Sequence, residues 1–374
     1  MPVVDGKAAV SLPDKLGWEN LVAAARREVD EGRTPACQLA LAMDGSIIAS
    51  EAFGAATDDT RFAVMSCTKA LIATAVLAMI SDGLIDVEVP VVEVFPEFGT
   101  NGKDSVTVEH LLLHTAGFPD APMGPDHWDH RARRVEKMAS WRLDWAPGTR
   151  FRYHATSAHW VLAELIERVG ERDFRDLIHY LVTEPLGLLR AVGIAEEDQH
   201  DIAEVVVGAG APTSDGSVVE LPREVNPVTL LRYNDPAVRA VGVPASGGFC
   251  TAADLVLLYQ ALLHDRAGLW DPAALANMTT NVRCTLYDPD LGASANRTLG
   301  LMVAGDDRAR AIRGFGYANS ARAFGHNGLG GQIAWADPET GLSFCYLTAG
   351  LDSDIAAQIQ RARRLSDLAI ASVA

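Results

Sequence analysis

Strand-like segments stand at both ends of this chain and helical ones fill its middle, an order that sharply limits how the chain can fold. Residues 38–53 (QLALAMDGSIIASEAF) read as two strands around Asp44-Gly45, a pair suited to a tight hairpin turn. Residues 298–304, 321–325, 331–337 and 342–349 read as further strands, the last two joined by a turn at Pro338–Gly341. Helical periodicity marks 66–82, 108–114, 157–169, 172–183 and 252–263, with Gly/Pro-rich loops at 116–126 and 208–248. Residues 18–33, with Trp18, Leu21, Val22, Ala25 and Val29 on one face, and residues 354–371 add a helix at each end. This order implies an α+β architecture: one antiparallel sheet assembled from N- and C-terminal segments, flanked by helices, with a mainly helical region inserted. We therefore expect a single domain over 1–374, its sheet region at about 1–65 and 290–374 and its helical region at about 66–289. The cleft between the two regions is the default ligand site.

Composition narrows the function. Forty-nine Asp and Glu against 32 Lys and Arg leave a formal charge of −17. Such a surface repels phosphate backbones and anionic headgroups, so neither nucleic acid nor membrane is an expected partner. The longest helical apolar run, Ala70 to Ile80, falls far short of the roughly 18 residues that span a bilayer. Met1 to Pro13 lacks the basic and apolar regions of a signal peptide. Five cysteines (Cys37, Cys67, Cys250, Cys284, Cys345) are odd in number and without CxxC spacing, which reads as reduced, buried thiols in a cytoplasmic protein. Only 5 of the 32 basic residues are lysine, so each lysine in an apolar setting stands out.

One does. Ser66-Cys67-Thr68-Lys69 is the only Ser-x-x-Lys in the chain, and it opens the helix whose continuation, Ala70 to Ile80, is apolar except for Thr74. Three residues apart, Ser66 Oγ and Lys69 Nζ lie on one face, a turn apart. The helix N-terminus favours an alkoxide and disfavours a charged amine. Desolvation by the apolar helix pushes the amine toward a usable base. Taken alone, the pair also fits a capping serine and a snorkelling lysine.

Two distant features change that balance. Tyr153 sits in PGTRFRYHA, just before the helix at Ser157, and His326-Asn327-Gly328 precedes Leu329-Gly330-Gly331 and QIAWADPETGLSFCYLT. With these in order the chain resembles the serine β-lactamase and penicillin-binding superfamily, and within it the class C β-lactamase-like branch that includes family VIII carboxylesterases. The resemblance extends over about residues 35–350, through VTVEHLLLHTAGF (106–118), APGTRFRY (146–153), EPLGL (184–188), ASGGFCTAADL (245–255) and FGHNGLGGQIAWADPETGL (324–342). It implies a β-lactamase/transpeptidase-like fold, with Ser66 as acyl-accepting nucleophile. Lys69 and Tyr153 would form its base system, the tyrosine also protonating the leaving group. The backbone N–H groups of Ser66 and Leu329 would form the oxyanion hole, and no metal or organic cofactor is implied. A phenol works near neutrality only beside a cation, and Lys69 is the candidate. The glycines from Gly328 to Gly331 would let a substrate carbonyl approach the strand backbone.

Departures from the family pattern bear on substrate. Ala155 stands where β-lactamases and transpeptidases carry the asparagine that holds an amide side chain, and His326 where many carry a carboxylate-attracting lysine. Among the substrate-facing positions His326, Asn327, Gly328 and Ala155, both changes favour an uncharged small-molecule ester. Short or medium acyl esters are the expected substrates. Amide hydrolysis, acyl transfer, and a catalytically silent scaffold or sensor are the alternatives, and a homo-oligomer stays open. His110 and His114, four apart beside Glu109, have zinc-ligand spacing but fall in a matched structural helix and turn. Asp126-His127-Trp128-Asp129-His130 reads as a solvated loop. Phe118, Met123, Trp128 and Trp141 suit a substrate wall and the core equally. Cys67 reads as an inert buried thiol. The absence of Gly-x-Ser-x-Gly, Walker A, Rossmann and HExxH motifs argues against those enzyme classes.

Overall fold

The ends of the chain do meet in one sheet. In the computed structural model, which describes residues 13–207, 230–352 and 354–373, the strands are β1 (Ala36–Met43), β2 (Ser46–Gly54), β3 (Met302–Val303), β4 (Phe324–Gly328), β5 (Gln332–Asp337) and β6 (Leu342–Thr348). They run antiparallel in the order β2-β1-β6-β5-β4-β3. The first strand pairs with the last: Cys37 lies opposite Thr348, Leu39 opposite Tyr346 and Leu41 opposite Phe344. At the β1–β2 turn Asp44 and Gly45 take φ of 50° and 75°, the two positive values that a tight hairpin of this type requires.

The flanking helices needed here are α1 (Lys15–Asp30), α2 (Thr68–Ser81), α3 (Ser157–Val169), α4 (Ala252–His264) and α5 (Ile355–Ala371). Strand alternation sorts side chains by size. Leu39, Leu41, Ile333, Trp335, Phe344 and Tyr346 face one way, into a core shared with Leu21 and Ala25 of α1 and Leu365 and Ala369 of α5. Ala40, Ala42, Ala334, Ala336 and Cys345 face the other way, into the larger core. There α4 packs across β1, β5 and β6. Small side chains on that face let the helix backbone come close, and Gln260 exploits this: its amide donates to Ala42 O (3.0 Å) and accepts from Gly45 N (2.8 Å). Both faces are therefore buried, and α2 is buried on every side beyond the sheet.

Several expected elements differ. The strand expected at 298–304 shrinks to Met302–Val303, where Gly300 (φ 92°) turns the chain out of extended backbone. The strand expected at 321–325 lies at Phe324–Gly328, so the His326-Asn327-Gly328 triplet sits on the strand itself. The 172–183 segment divides into an α-helix, Phe174–Ile178, and a π-helical turn, His179–Thr183. The 108–114 helix ends at Leu112. Two helices lie outside the expected segments: Arg131–Ser140, which buries only Arg134 and Met138, and Pro272–Thr279, whose start signal is the Asp271 cap with proline following. Most of the 208–248 loop expectation and of the Met1 to Pro13 reading falls outside the described residues. No described helix is long and apolar enough to cross a membrane.

Candidate active site

The chain reaches α2 through a strained turn. Met65 holds φ at 48°, uncommon for a residue with a side chain, and opens a single 3₁₀ turn, Met65–Cys67. Ser66 is thereby presented, half-exposed, ahead of the helix. Its amide belongs to the first turn, whose N–H groups lack intrahelical acceptors. One turn on, fully buried Lys69 reaches back: Nζ lies 3.2 Å from Ser66 Oγ and 2.9 Å from each of two carbonyls, Ala155 O and Ala245 O. The 245–248 loop is fixed for this by Gly248 N–H donating to Thr68 Oγ1 (2.9 Å). Two of the amine's directions are thus committed to carbonyls and the third faces the serine. Burial holds Lys69 well below the ordinary lysine range, the charge of Arg297 adds to this, and Cys67 opposes it. A neutral amine in this cage aims its lone pair at the Ser66 hydroxyl.

Tyr153 is positioned from behind by histidines. His154 N–H donates to His114 Nδ1 (3.1 Å), while the His154 ring accepts from Phe118 N–H at Nε2 (3.1 Å) and donates from Nδ1 to Arg152 O (2.7 Å). Ser157 Oγ then donates to Phe118 O (2.9 Å), clamping the start of α3 to the same loop. The Tyr153 ring is half-exposed, but its hydroxyl is shielded from solvent and has no hydrogen bond of conventional geometry. Two cations stand over the ring, Lys69 Nζ at 5.0 Å and Arg297 Cζ at 5.2 Å from its centroid. Burial pushes the phenol up to about 12, against the opposing influences of Arg297 and the Ser66 hydroxyl. Arg297 thus joins Lys69 as a cation beside the phenol, and its charge opposes the upward push of burial. The lysine is deprotonation-prone and sits over the ring face.

Strand β4 forms the opposite wall. Cys67 Sγ, buried and with its thiol pushed up to about 12 by burial, donates to His326 O (3.2 Å) and points away from the serine. A Cβ on Gly328 would lie 2.6 Å from Val64 O, and at Gly330 (φ 92°) and Gly331 (φ 108°) added Cβ atoms would strike Leu351 and Arg361. These glycines serve close packing and backbone conformation. His326 is 1% exposed, with Nδ1 2.6 Å from Asn327 O and its ring 6.1 Å from that of Tyr153. Burial first, then Arg297 and Lys69, hold His326 far below the ordinary histidine range, so its imidazole is neutral. Leu329 follows half-exposed, and its amide makes no backbone hydrogen bond among the described residues. Asn327, Ala155 and Ser246 share that partial exposure.

The structure thus brings Ser66, Lys69, Tyr153, Ala155 and His326 together, and adds residues that pattern reading missed. Ala245 contributes only a carbonyl, which no side-chain motif announces. His114 supports the Tyr153 segment, its ring 4.7 Å from the tyrosine's. His110 is occupied in a capping box with Thr107. Arg297 lies in an irregular stretch with no motif around it. Phe118, Met123 and Trp141 are buried core residues and Trp128 packs half-buried against them, favouring the core reading of all four. A surface groove of about 670 Å³ lies elsewhere, among Arg131, Glu167, Arg168 and Arg172. Its charges already neutralise one another, as Arg131 with Glu167 (3.0 Å). Chemistry rather than cavity size locates the site.

Known proteins share this fold. The Beta-lactamase family model matches residues 21–368. Esterase/beta-lactamase LipL of Mycobacterium tuberculosis is 28% identical over 316 residues, covering 75% of this chain and 67% of that protein. A penicillin-binding protein homolog from Caulobacter crescentus superposes with a TM-score of 0.78 at 25% identity, over 97% of this chain and 99% of that one. A family VIII carboxylesterase follows at 0.77 and 23% identity, over 95% and 99%. The chain therefore belongs to the beta-lactamase family, within the wider group of serine β-lactamases and penicillin-binding proteins, and is a serine hydrolase of that fold.

Proposed function

We propose that the protein is a carboxylesterase that cleaves short- or medium-chain esters through an acyl-enzyme on Ser66. The observation that carries this is the Lys69 cage: a buried amine with two N–H directions tied to carbonyls and the third aimed at Ser66 Oγ at 3.2 Å. Lys69 takes the serine proton as Oγ attacks the ester carbonyl, and the N–H groups of Ser66 and Leu329 receive the developing oxyanion. As the C–O bond breaks, Tyr153 gives its phenolic proton to the departing alkoxide. The ammonium of Lys69 returns a proton to the phenolate. Water attacks the acyl-enzyme by the same route, releasing acid and restoring Ser66.

The preference for esters rests on what lines the opening. Ala155 presents a methyl group where an amide-holding side chain would be needed, and neutral, buried His326 does little for a carboxylate. Each lost polar contact costs about 1–3 kcal/mol. Simple 4-nitrophenyl esters should therefore exceed a chromogenic cephalosporin in kcat/KM by at least about a hundredfold. Faster turnover of the cephalosporin than of 4-nitrophenyl butyrate would overturn the ester reading. LipL, named as both esterase and β-lactamase, marks the two poles of that comparison.

A further inference from the structure

Arg297 is an expensive residue to keep where it is. A reciprocal backbone pair with Cys284 (3.0 Å each way) pins it, and its side chain is 5% exposed. The guanidinium lies between aromatic rings, 5.2 Å from the centroid of Tyr153 and 5.5 Å from that of Phe151. Among the described residues it makes no side-chain hydrogen bond or ion pair, and Nε and Nη1 are shielded from solvent without acceptors. A guanidinium cannot shed its proton, so the site holds a buried, unpaired positive charge. Facing it are Lys69 from α2, Tyr153 before α3, His159 within α3, His114 and His326, with Cys284, Asp288 and Arg313 on its own side.

Lys69 Nζ and Arg297 Cζ flank one ring and so stand at most about 10 Å apart. Two cations that close in a buried site repel, and only the lysine can relieve the repulsion by losing a proton. We propose that Arg297 is a positioning residue whose fixed charge, stacked on Tyr153, keeps Lys69 as the free amine and steadies the phenolate formed when Tyr153 gives up its proton. This rests on the reading of Ser66 and Lys69 given above. The electrostatics agree: after burial, Arg297 is the larger influence lowering Lys69, and the largest favouring ionised Tyr153.

The test is the pH dependence of Ser66 labelling by a fluorophosphonate, with kcat/KM for 4-nitrophenyl butyrate beside it. Wild type would be compared with Arg297→Met, Arg297→Gln and Arg297→Lys. Methionine fills the slot between the two rings without charge, a replacement that buried charges often tolerate. Removing the charge raises the Lys69 pKa, so the acid limb of both profiles should move up by about one pH unit. Labelling on that limb should slow about tenfold, and Arg297→Lys should restore most of the shift. An unmoved limb in the neutral variants, or a shift that lysine leaves in place, overturns the role of Arg297 alone. Failure of both neutral variants to fold by circular dichroism also overturns it, assigning the residue to the fold. Failure of wild-type Ser66 to label at any pH overturns the reading of the site itself.

Discussion

Acid should loosen this enzyme through the histidine that holds its tyrosine. His154 is fully buried and titrates at about 4 instead of 6.5, chiefly because burial penalises the imidazolium; the nearby charge of Arg152 adds to this and the bond to the Arg152 carbonyl opposes it. Its folded pKa is depressed, so above about 6.5 both folded and unfolded chains carry it neutral and its contribution to stability is complete. As pH falls from 6.5 toward 4 the unfolded chain takes up a proton that the folded one refuses, and that contribution is lost. The linkage amounts to about 2 kcal/mol by pH 5 and about 3 kcal/mol at pH 4. His154→Gln keeps a donor and an acceptor near Arg152 O and Phe118 N but does not titrate. The variant should be less stable than wild type at pH 7.5, by about 1–3 kcal/mol for imperfect hydrogen bonds. The gap should narrow by about 2 kcal/mol at pH 5, where wild type has lost its advantage. Urea denaturation of both proteins at pH 7.5, 6 and 5 measures it. Stability curves that stay parallel across this range would falsify the assignment of His154 as a buried, neutral clamp.

Further outcomes follow from the same contacts. Ser66→Ala should lower kcat by several orders of magnitude with an unchanged circular dichroism spectrum, and should abolish fluorophosphonate labelling. Lys69→Arg places a larger group that cannot act as a base between carbonyls 2.9 Å from the native amine, so kcat/KM should fall by about a thousandfold or more. Tyr153→Phe should cut kcat by about 10²–10⁴ while leaving the thermal midpoint in place, since the hydroxyl makes no conventional hydrogen bond in the fold. A large loss of stability with near-normal kcat would reverse that assignment. Gly328→Ala forces a methyl group to 2.6 Å from Val64 O and should destabilise by about 1–3 kcal/mol, measured by urea midpoint.

The sheet was legible because its strands are bounded by turn chemistry and placed at the two ends of the chain. Asp44-Gly45 set the first hairpin, and the strands at 331–337 and 342–349 fall almost where the pattern put them. Less legible were elements whose boundaries depend on tertiary contacts. The Arg131–Ser140 helix buries only Arg134 and Met138, so the face it turns to the protein is not the apolar stripe that marks the other helices. The shift of β4 to Phe324–Gly328 has a similar origin. Gly325 and Gly328 are accommodated as strand residues because Trp335 and the Val64 carbonyl crowd them, and neither neighbour is close in sequence. A local pattern sees two glycines and ends the strand too early.

The candidate site divides along the same line. Ser66 and Lys69 are one helical turn apart, so a short spacing rule suffices to pair them, and Tyr153 enters through an ordered set of motifs. The electrostatic environment that decides their protonation has no such signature. It comes first from burial and then from Arg297, 144 residues beyond Tyr153 in the chain, around an amine held by the backbone carbonyls of Ala155 and Ala245. A carbonyl carries no residue identity, and an arginine in an irregular stretch reads as surface charge, above all in a chain with 27 of them. Burial with Nε and Nη1 left without acceptors is what separates Arg297 from the rest. Two other buried arginines find carboxylates, Arg61 in Asp201 and Arg313 in Asp307. Arg297 finds two aromatic rings instead. A cation without a counterion destabilises the fold unless neighbouring groups give up charge of their own, and Lys69 and the buried histidines do so. The machinery that makes the lysine a base is thus a distribution of charge over the folded chain, and the motif only marks where it is used.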